Sequence, residues 1–178
     1  MCGIWAILSK SGFTLKSYLQ YIESFQKLHM RGPDRSNIVS SFKPTDMIIG
    51  FHRLAIMDKS TLGDQPFSYV DGNNTIYVIC NGEIYNYKQL IKKYELENIV
   101  KSSSDCEVLL ELYKKYKTLD FCNELEGEYA FIIFDVDMLT GDYKVHLCSD
   151  RFGVRPMFIY EDDDIVCISS EIKGIPLN

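Results

Sequence analysis

The second half of the chain alternates apolar runs with turns that are short, and this spacing restricts the fold more than any other feature. Runs at 129–135, 143–149, 157–160 and 165–170 are divided by Thr140-Gly141-Asp142, by Arg151 to Pro156 and by Asp162-Asp163-Asp164. A parallel pair needs a crossover of about a dozen residues or more. The strands should therefore meet largely antiparallel. Upstream, strands are expected at 2–8, 37–43 and 47–54, with a Lys43-Pro44-Thr45-Asp46 turn between the last two. After a loop from Lys59 to Pro66, a hairpin follows, with one strand from Phe67, a turn at Asp71-Gly72-Asn73-Asn74, and a second strand over 75–80.

Three segments have helical rather than alternating periodicity. Leu15, Leu19, Ile22, Phe25 and Leu28 recur at helical spacing and predict a helix over 15–30, ended by Arg31-Gly32-Pro33-Asp34. A short helix is expected over 87–94. Ser104-Asp105-Cys106-Glu107 has the form of a capping box and should open a helix to about 117, with Val108, Leu109, Leu112 and Tyr116 inward. The class is α+β: one domain over 1–178, two sheets with the helices outside.

Composition excludes several classes of function. Apolar residues make up 46% of the chain, with 12 Tyr and 10 Phe, which rules out disorder. A net charge of −6 with scattered cations argues against nucleic acid and against an anionic membrane surface. No apolar stretch reaches spanning length, and no signal-peptide pattern opens the chain. The six cysteines lack C-x-x-C spacing or a neighbouring histidine pair, so no metal site is expected. They read as reduced and mostly buried, in a cytoplasmic protein. The acidic Glu161-Asp162-Asp163-Asp164 run reads as a solvated turn rather than a calcium loop.

Cys2 has two readings. It is either a small buried residue opening the first strand or, once Met1 is removed, a nucleophile with its own base. A thiol is only a few per cent thiolate at neutral pH, and an α-amine titrating at about 7.7–8.0 can take its proton directly or through one water. Asn81-Gly82 taken alone is a hairpin turn, Asp105 a helix-capping acid, and Arg53 a strand arginine.

Taken together, these words resemble the class II glutamine amidotransferase domain, most closely the N-terminal glutaminase domain of glutamine-dependent asparagine synthetase. The resemblance is carried by Cys2-Gly3-Ile4, Arg31-Gly32-Pro33-Asp34, His52-Arg53-Leu54-Ala55-Ile56-Met57-Asp58, Gln65-Pro66 and Asn81-Gly82-Glu83-Ile84-Tyr85-Asn86. It continues through Ser104-Asp105, Glu126 to Phe131, Asp150 to Pro156 and Ser169 to Lys173. Two departures are Met30, where the family usually has histidine (His29 is one place earlier), and Arg35-Ser36-Asn37, which lacks a glycine common after that serine.

The resemblance implies an N-terminal-nucleophile hydrolase fold, a four-layer αββα sandwich with two mainly antiparallel sheets. It implies hydrolysis of L-glutamine to L-glutamate and ammonia through a Cys2 thioester, with Asn81 and Gly82 as oxyanion donors. Arg53 is the implied partner of the substrate α-carboxylate, Asp105 with Glu83 that of the α-ammonium, and backbone near Ile56 lines the pocket. Arg31 and Asp34 are supporting loop residues. The synthetase domain of such enzymes is not expected within this chain, so no cofactor is implied; ATP and Mg²⁺ would belong to that domain, the ammonia acceptor. A related N-terminal-cysteine hydrolase of larger acyl amides, and a non-catalytic remnant or amino-acid-binding module of the same fold, are the competing readings.

Overall fold

The computed structural model describes residues 1–43 and 45–177; Pro44 of the expected 43–46 turn and the terminal Asn178 lie outside the described residues. Among the described residues nine strands form two sheets, and every pairing is antiparallel. The first sheet contains β1 (Gly3–Ser9), β2 (Arg35–Ser41), β3 (Met47–Arg53), β8 (Phe158–Glu161) and β9 (Ile165–Ser169), in the order β2-β3-β1-β9-β8. The second contains β4 (Phe67–Asp71), β5 (Asn74–Ile84), β6 (Gly127–Asp137) and β7 (Tyr143–Ser149), in chain order. Helix α1 (Leu15–Gln26) covers the first sheet, while α2 (Tyr87–Lys93) and α3 (Glu107–Tyr116) cover the second.

Period-two side-chain alternation divides each sheet between two cores. On β1, Ile4, Ala6 and Leu8 face the other sheet, where Ile79, Ala130, Ile132 and Phe134 complete the central core. Trp5 and Ile7 point the other way, onto Phe25 and Leu28 below α1. The Trp5 indole, fully buried, donates to Gly174 O at 2.8 Å. On the far side, Val78, Phe131 and Ile133 pack beneath Val108, Leu109 and Leu112 of α3. The layers are thus helix, sheet, sheet, helix.

Three local expectations are corrected. Helix α1 stops at Gln26 instead of running to 30, and His29–Arg31 forms a tighter 3-10 turn. Gly32 must press against β3 there: a Cβ on it would sit 2.3 Å from His52 O. The strand expected over 75–80 extends through Asn81-Gly82-Glu83 to Ile84, because β6 pairs along its full length, as far as Ile84 with Gly127. The hairpin turn expected at Asp71-Gly72-Asn73-Asn74 does form, with a φ of 58° at Gly72 in its two-residue loop. The capping box at Ser104 does not close. The Glu107 carboxylate turns back to accept from the N–H groups of Lys101 and Ser102 at 3.0 and 2.7 Å, and α3 begins only at Glu107.

Candidate active site

Strand β1 lies between β3 and β9, so its leading end is held from both sides. Gly3 pairs with His52, which fixes Cys2 one residue beyond the last rung. The Cys2 sulfur accepts from Leu54 N at 3.4 Å and lies 3.6 Å from Leu54 O. Burial raises the thiol above its ordinary value, while the Leu54 contact, the chain's amino terminus and Arg53 pull it back in part. Met1 is half exposed at the pocket mouth, with its sulfur against the Arg155 guanidinium.

Behind Cys2 the 31–34 loop acts as a brace. Arg31 Nε donates to Cys2 O at 2.8 Å, and its Nη1 pairs with Glu171 at 2.8 Å. Asp34 accepts from Ala55 N at 2.8 Å, holding the segment that leaves β3. Arg31 and Asp34 therefore contact the backbone that frames the cavity and do not form its wall. His52 also points away: its ring stacks on Phe25 at 3.9 Å, Nε2–H donates to Phe25 O, and Nδ1 accepts from the Ser36 hydroxyl. His29 meets it edge-on at 5.5 Å, and Met30 is 80% exposed.

A single cavity brings together Cys2, Arg53, Ile56, Asn81, Gly82, Glu83 and Asp105. They come from the residue leading into β1, β3 and the loop after it, β5, and the turn before α3, four separate parts of the sequence. Asn81 is 1% exposed, and its Nδ2 has no hydrogen-bond partner. Buried donors are nearly always paired, so a lone one aimed at a cavity wall is a site made for an acceptor that arrives from outside. Gly82 allows the two strands to close at this point, because a Cβ there would lie 2.3 Å from Glu128 O and 2.5 Å from Tyr129 Cα.

The charged groups flank that donor. Arg53 is 5% exposed and donates to Ser60 O, to Asp58 O and to the Asp64 carboxylate. Asp64 is shared with Arg35 at 2.8 Å, so a loop of residues 58–64 is gathered round two guanidinium groups. Asp105 accepts from Ile84 N at 2.7 Å, and its burial raises the carboxyl above the ordinary range. An arriving cation would favour its ionised form.

Sequence reasoning assigned no role to four residues that shape the cavity. Gln65, 5% exposed, bonds both backbone groups of Cys80, accepting from its N–H at 2.6 Å and donating to its C=O at 3.3 Å. Asp58 accepts from Ser60 N and Ser103 N at 2.7 Å each, tying the 58–64 loop to the turn that carries Asp105. Arg155 reaches the cavity from the turn clamped by Asp150 and pairs with Glu128 at 2.7 Å. Cys80 lines the wall beside Asn81. Gln65, Asp58 and Arg155 all fall within the recognised sequence words, which was the available signal. Among the described residues no cluster of His, Cys, Asp and Glu could hold a metal ion, and no helix is long and apolar enough to cross a membrane.

Comparison with known proteins gives concordant findings. The glutamine amidotransferase domain model matches residues 1–177. A probable glutamine-hydrolysing asparagine synthetase of Acanthamoeba polyphaga mimivirus is 36% identical over 178 residues, covering 98% of this chain and 30% of that protein. The asparagine synthetase of Gallus gallus is 37% identical over 178 residues, covering 98% of this chain and 29% of its own length. The chain thus spans about a third or less of these relatives. Among solved structures, the allosteric regulatory enzyme of purine biosynthesis superposes with a TM-score of 0.74 at 22% identity, over 97% of this chain and 42% of that one. The glutamine phosphoribosylpyrophosphate amidotransferase of B. subtilis gives 0.71 at 24% identity, over the same shares. At such identities the likeness is one of fold.

Proposed function

The chain belongs to the glutamine amidotransferase domain family, and from that premise we propose that it hydrolyses L-glutamine to L-glutamate and ammonia with Cys2 as nucleophile. The observation that carries this reading is the buried, unpartnered Asn81 Nδ2 on the same cavity wall as the Cys2 side chain. An amide carbonyl attacked by sulfur becomes an oxyanion, and a preorganised donor in a dry site stabilises it.

In this reading Met1 is removed and the Cys2 α-amine becomes free. The amine takes the thiol proton as sulfur attacks the side-chain carbonyl carbon, and the oxygen gains its negative charge beside Asn81 Nδ2 and Gly82 N–H. The amine then delivers the proton to the departing nitrogen. Ammonia leaves, a thioester remains on Cys2, and water, deprotonated by the same amine, releases glutamate and the thiol. Arg53 receives the α-carboxylate on its Nε–Nη2 edge, which its three protein bonds do not fully use. Asp105, with Glu83, receives the α-ammonium, and backbone near Ile56 closes the pocket. Arg31 and Asp34 hold the Cys2 and Ala55 backbone.

The ammonia acceptor is a synthetase domain of asparagine-synthetase type, joined to this one or separate, and ATP and Mg²⁺ belong there and not to these residues. The second reading is an amino-acid-binding module of the same fold, which retention of Met1 would favour because a blocked amine removes the base. Intact mass combined with a diazo-ketone glutamine analogue tests the proposal. Loss of methionine and a Cys2 adduct blocked by glutamine support it; retained Met1, or labelling only elsewhere, overturns it.

A further inference from the structure

Away from the cavity, the outer face of the second sheet carries a feature that glutamine hydrolysis does not use. Cys148 lies on β7, the edge strand, opposite Phe131. The 3-10 turn Asp120–Glu124 crosses above it and brings Cys122 down, so that the two sulfurs are 3.4 Å apart. Both thiols are free and half-buried. Cys122 also lines a groove with Asn123, Leu125, Ser149 and Phe152, which gives a small molecule a way in. The remaining cysteine outside the cavity, Cys167, has no such access and is 0% exposed, while Cys2, Cys80 and Cys106 line the cavity itself.

We propose that Cys122 and Cys148 form a reversible dithiol–disulfide site, oxidised by low-molecular-weight disulfides of the glutathione class. The sulfurs need to approach by only about 1.4 Å to reach a normal disulfide bond, and the 120–124 turn, a surface connection, can supply that movement. Cys122 is the sulfur that faces the groove, which makes it the attacking sulfur, with Cys148 at 3.4 Å as the resolving one.

The chemistry balances without a metal or a further reactant. Cys122, deprotonated by solvent, attacks one sulfur of the small disulfide, whose S–S bond breaks, leaving a mixed disulfide on Cys122 and one small thiolate. Cys148 loses its proton to solvent and attacks the Cys122 sulfur. The second small thiolate leaves as the Cys122–Cys148 bond forms. Two protein thiols are oxidised, and one small disulfide is reduced to two thiols.

The test incubates the full folded chain with oxidised glutathione and maps non-reduced peptides by mass spectrometry. The expected result is a linked pair containing Cys122 and Cys148, with loss of two hydrogens from the chain and full reversal by dithiothreitol. Cys148→Ser should abolish the link and trap a glutathione adduct on Cys122. Cys148→Ala, closer to the apolar surroundings, repeats the trap if the serine variant folds poorly. A link that forms only after urea denaturation, or oxidation confined to Cys2, Cys80 or Cys106, would overturn the assignment.

Discussion

Two buried side-chain amides, Asn81 and Gln65, should respond in opposite ways to the same truncation. Asn81→Ala removes a donor that has no partner. An unpaired buried polar group costs a fold about 1–3 kcal/mol. Against this stands the lost burial of roughly one methylene equivalent, about 0.8 kcal/mol. The side chain borders an open cavity, so truncation widens existing space and creates no sealed void. The net change is between about zero and 2 kcal/mol in favour of the variant. Gln65→Ala does the reverse: it strips the partners from Cys80 N–H and C=O inside the protein. That should destabilise by about 2–4 kcal/mol. Catalysis should follow a different order. Losing an oxyanion donor typically lowers kcat by about 10²–10³-fold, so Asn81→Ala should be as stable as the parent and nearly inactive. Urea denaturation and glutamate release, measured on parent and both variants after confirming loss of Met1, decide the matter. If Asn81→Ala unfolds as early as Gln65→Ala while still releasing glutamate at the parental rate, the unpaired amide is not a functional donor.

Further outcomes are expected elsewhere. Gly82→Ala forces a methyl into the β6 backbone and should cost about 1–3 kcal/mol; Gly72→Ala, with no atom within 4 Å but a φ of 58°, should cost about 1–2 kcal/mol from backbone strain alone, and only the former should reduce glutaminase activity. Burial lowers the His52 pKa below its ordinary value, so its contribution to stability is complete above the unfolded value of about 6.5 and is lost as pH falls toward the folded one. His52→Gln should therefore show a smaller drop in Tm between neutral pH and pH near 5 than the parent, and an unchanged drop would refute the assignment. Arg53→Lys cannot reach Asp58 O, Ser60 O and Asp64 together; limited proteolysis should cut the 58–64 loop sooner, and KM should rise with a smaller change in kcat.

Much of the fold was legible because strand alternation and turn residues agree. Trp5 and Ile7 against Ile4 and Ala6 already divide β1 into two faces, and the helix stripe ending in Phe25 and Leu28 identifies one cover. The misreadings came where a distant partner overrode local chemistry. Asn81-Gly82 has the composition of a turn, yet β6 pairs with it and draws it into a strand. Ser104 and Glu107 have capping spacing, yet two upstream N–H groups attract the glutamate first. The pocket residues followed from recognised words rather than from any periodicity, since no local pattern reveals that Cys2, Asn81 and Asp105 share a wall. Gln65 illustrates the limit: its identity was visible, but its role depends on facing Cys80 just beyond the Phe67–Val78 rung at which β4 begins.

The placement of β1 has a practical consequence for anyone preparing this protein. Chain ends usually fray, but here the leading end comes out of a doubly bonded central strand and opens directly into the cleft. An affinity tag fused ahead of Cys2 would have to leave past Arg155, against which the Met1 sulfur lies, and any residue left by incomplete tag cleavage would block the Cys2 amine. Fusions belong at the opposite terminus.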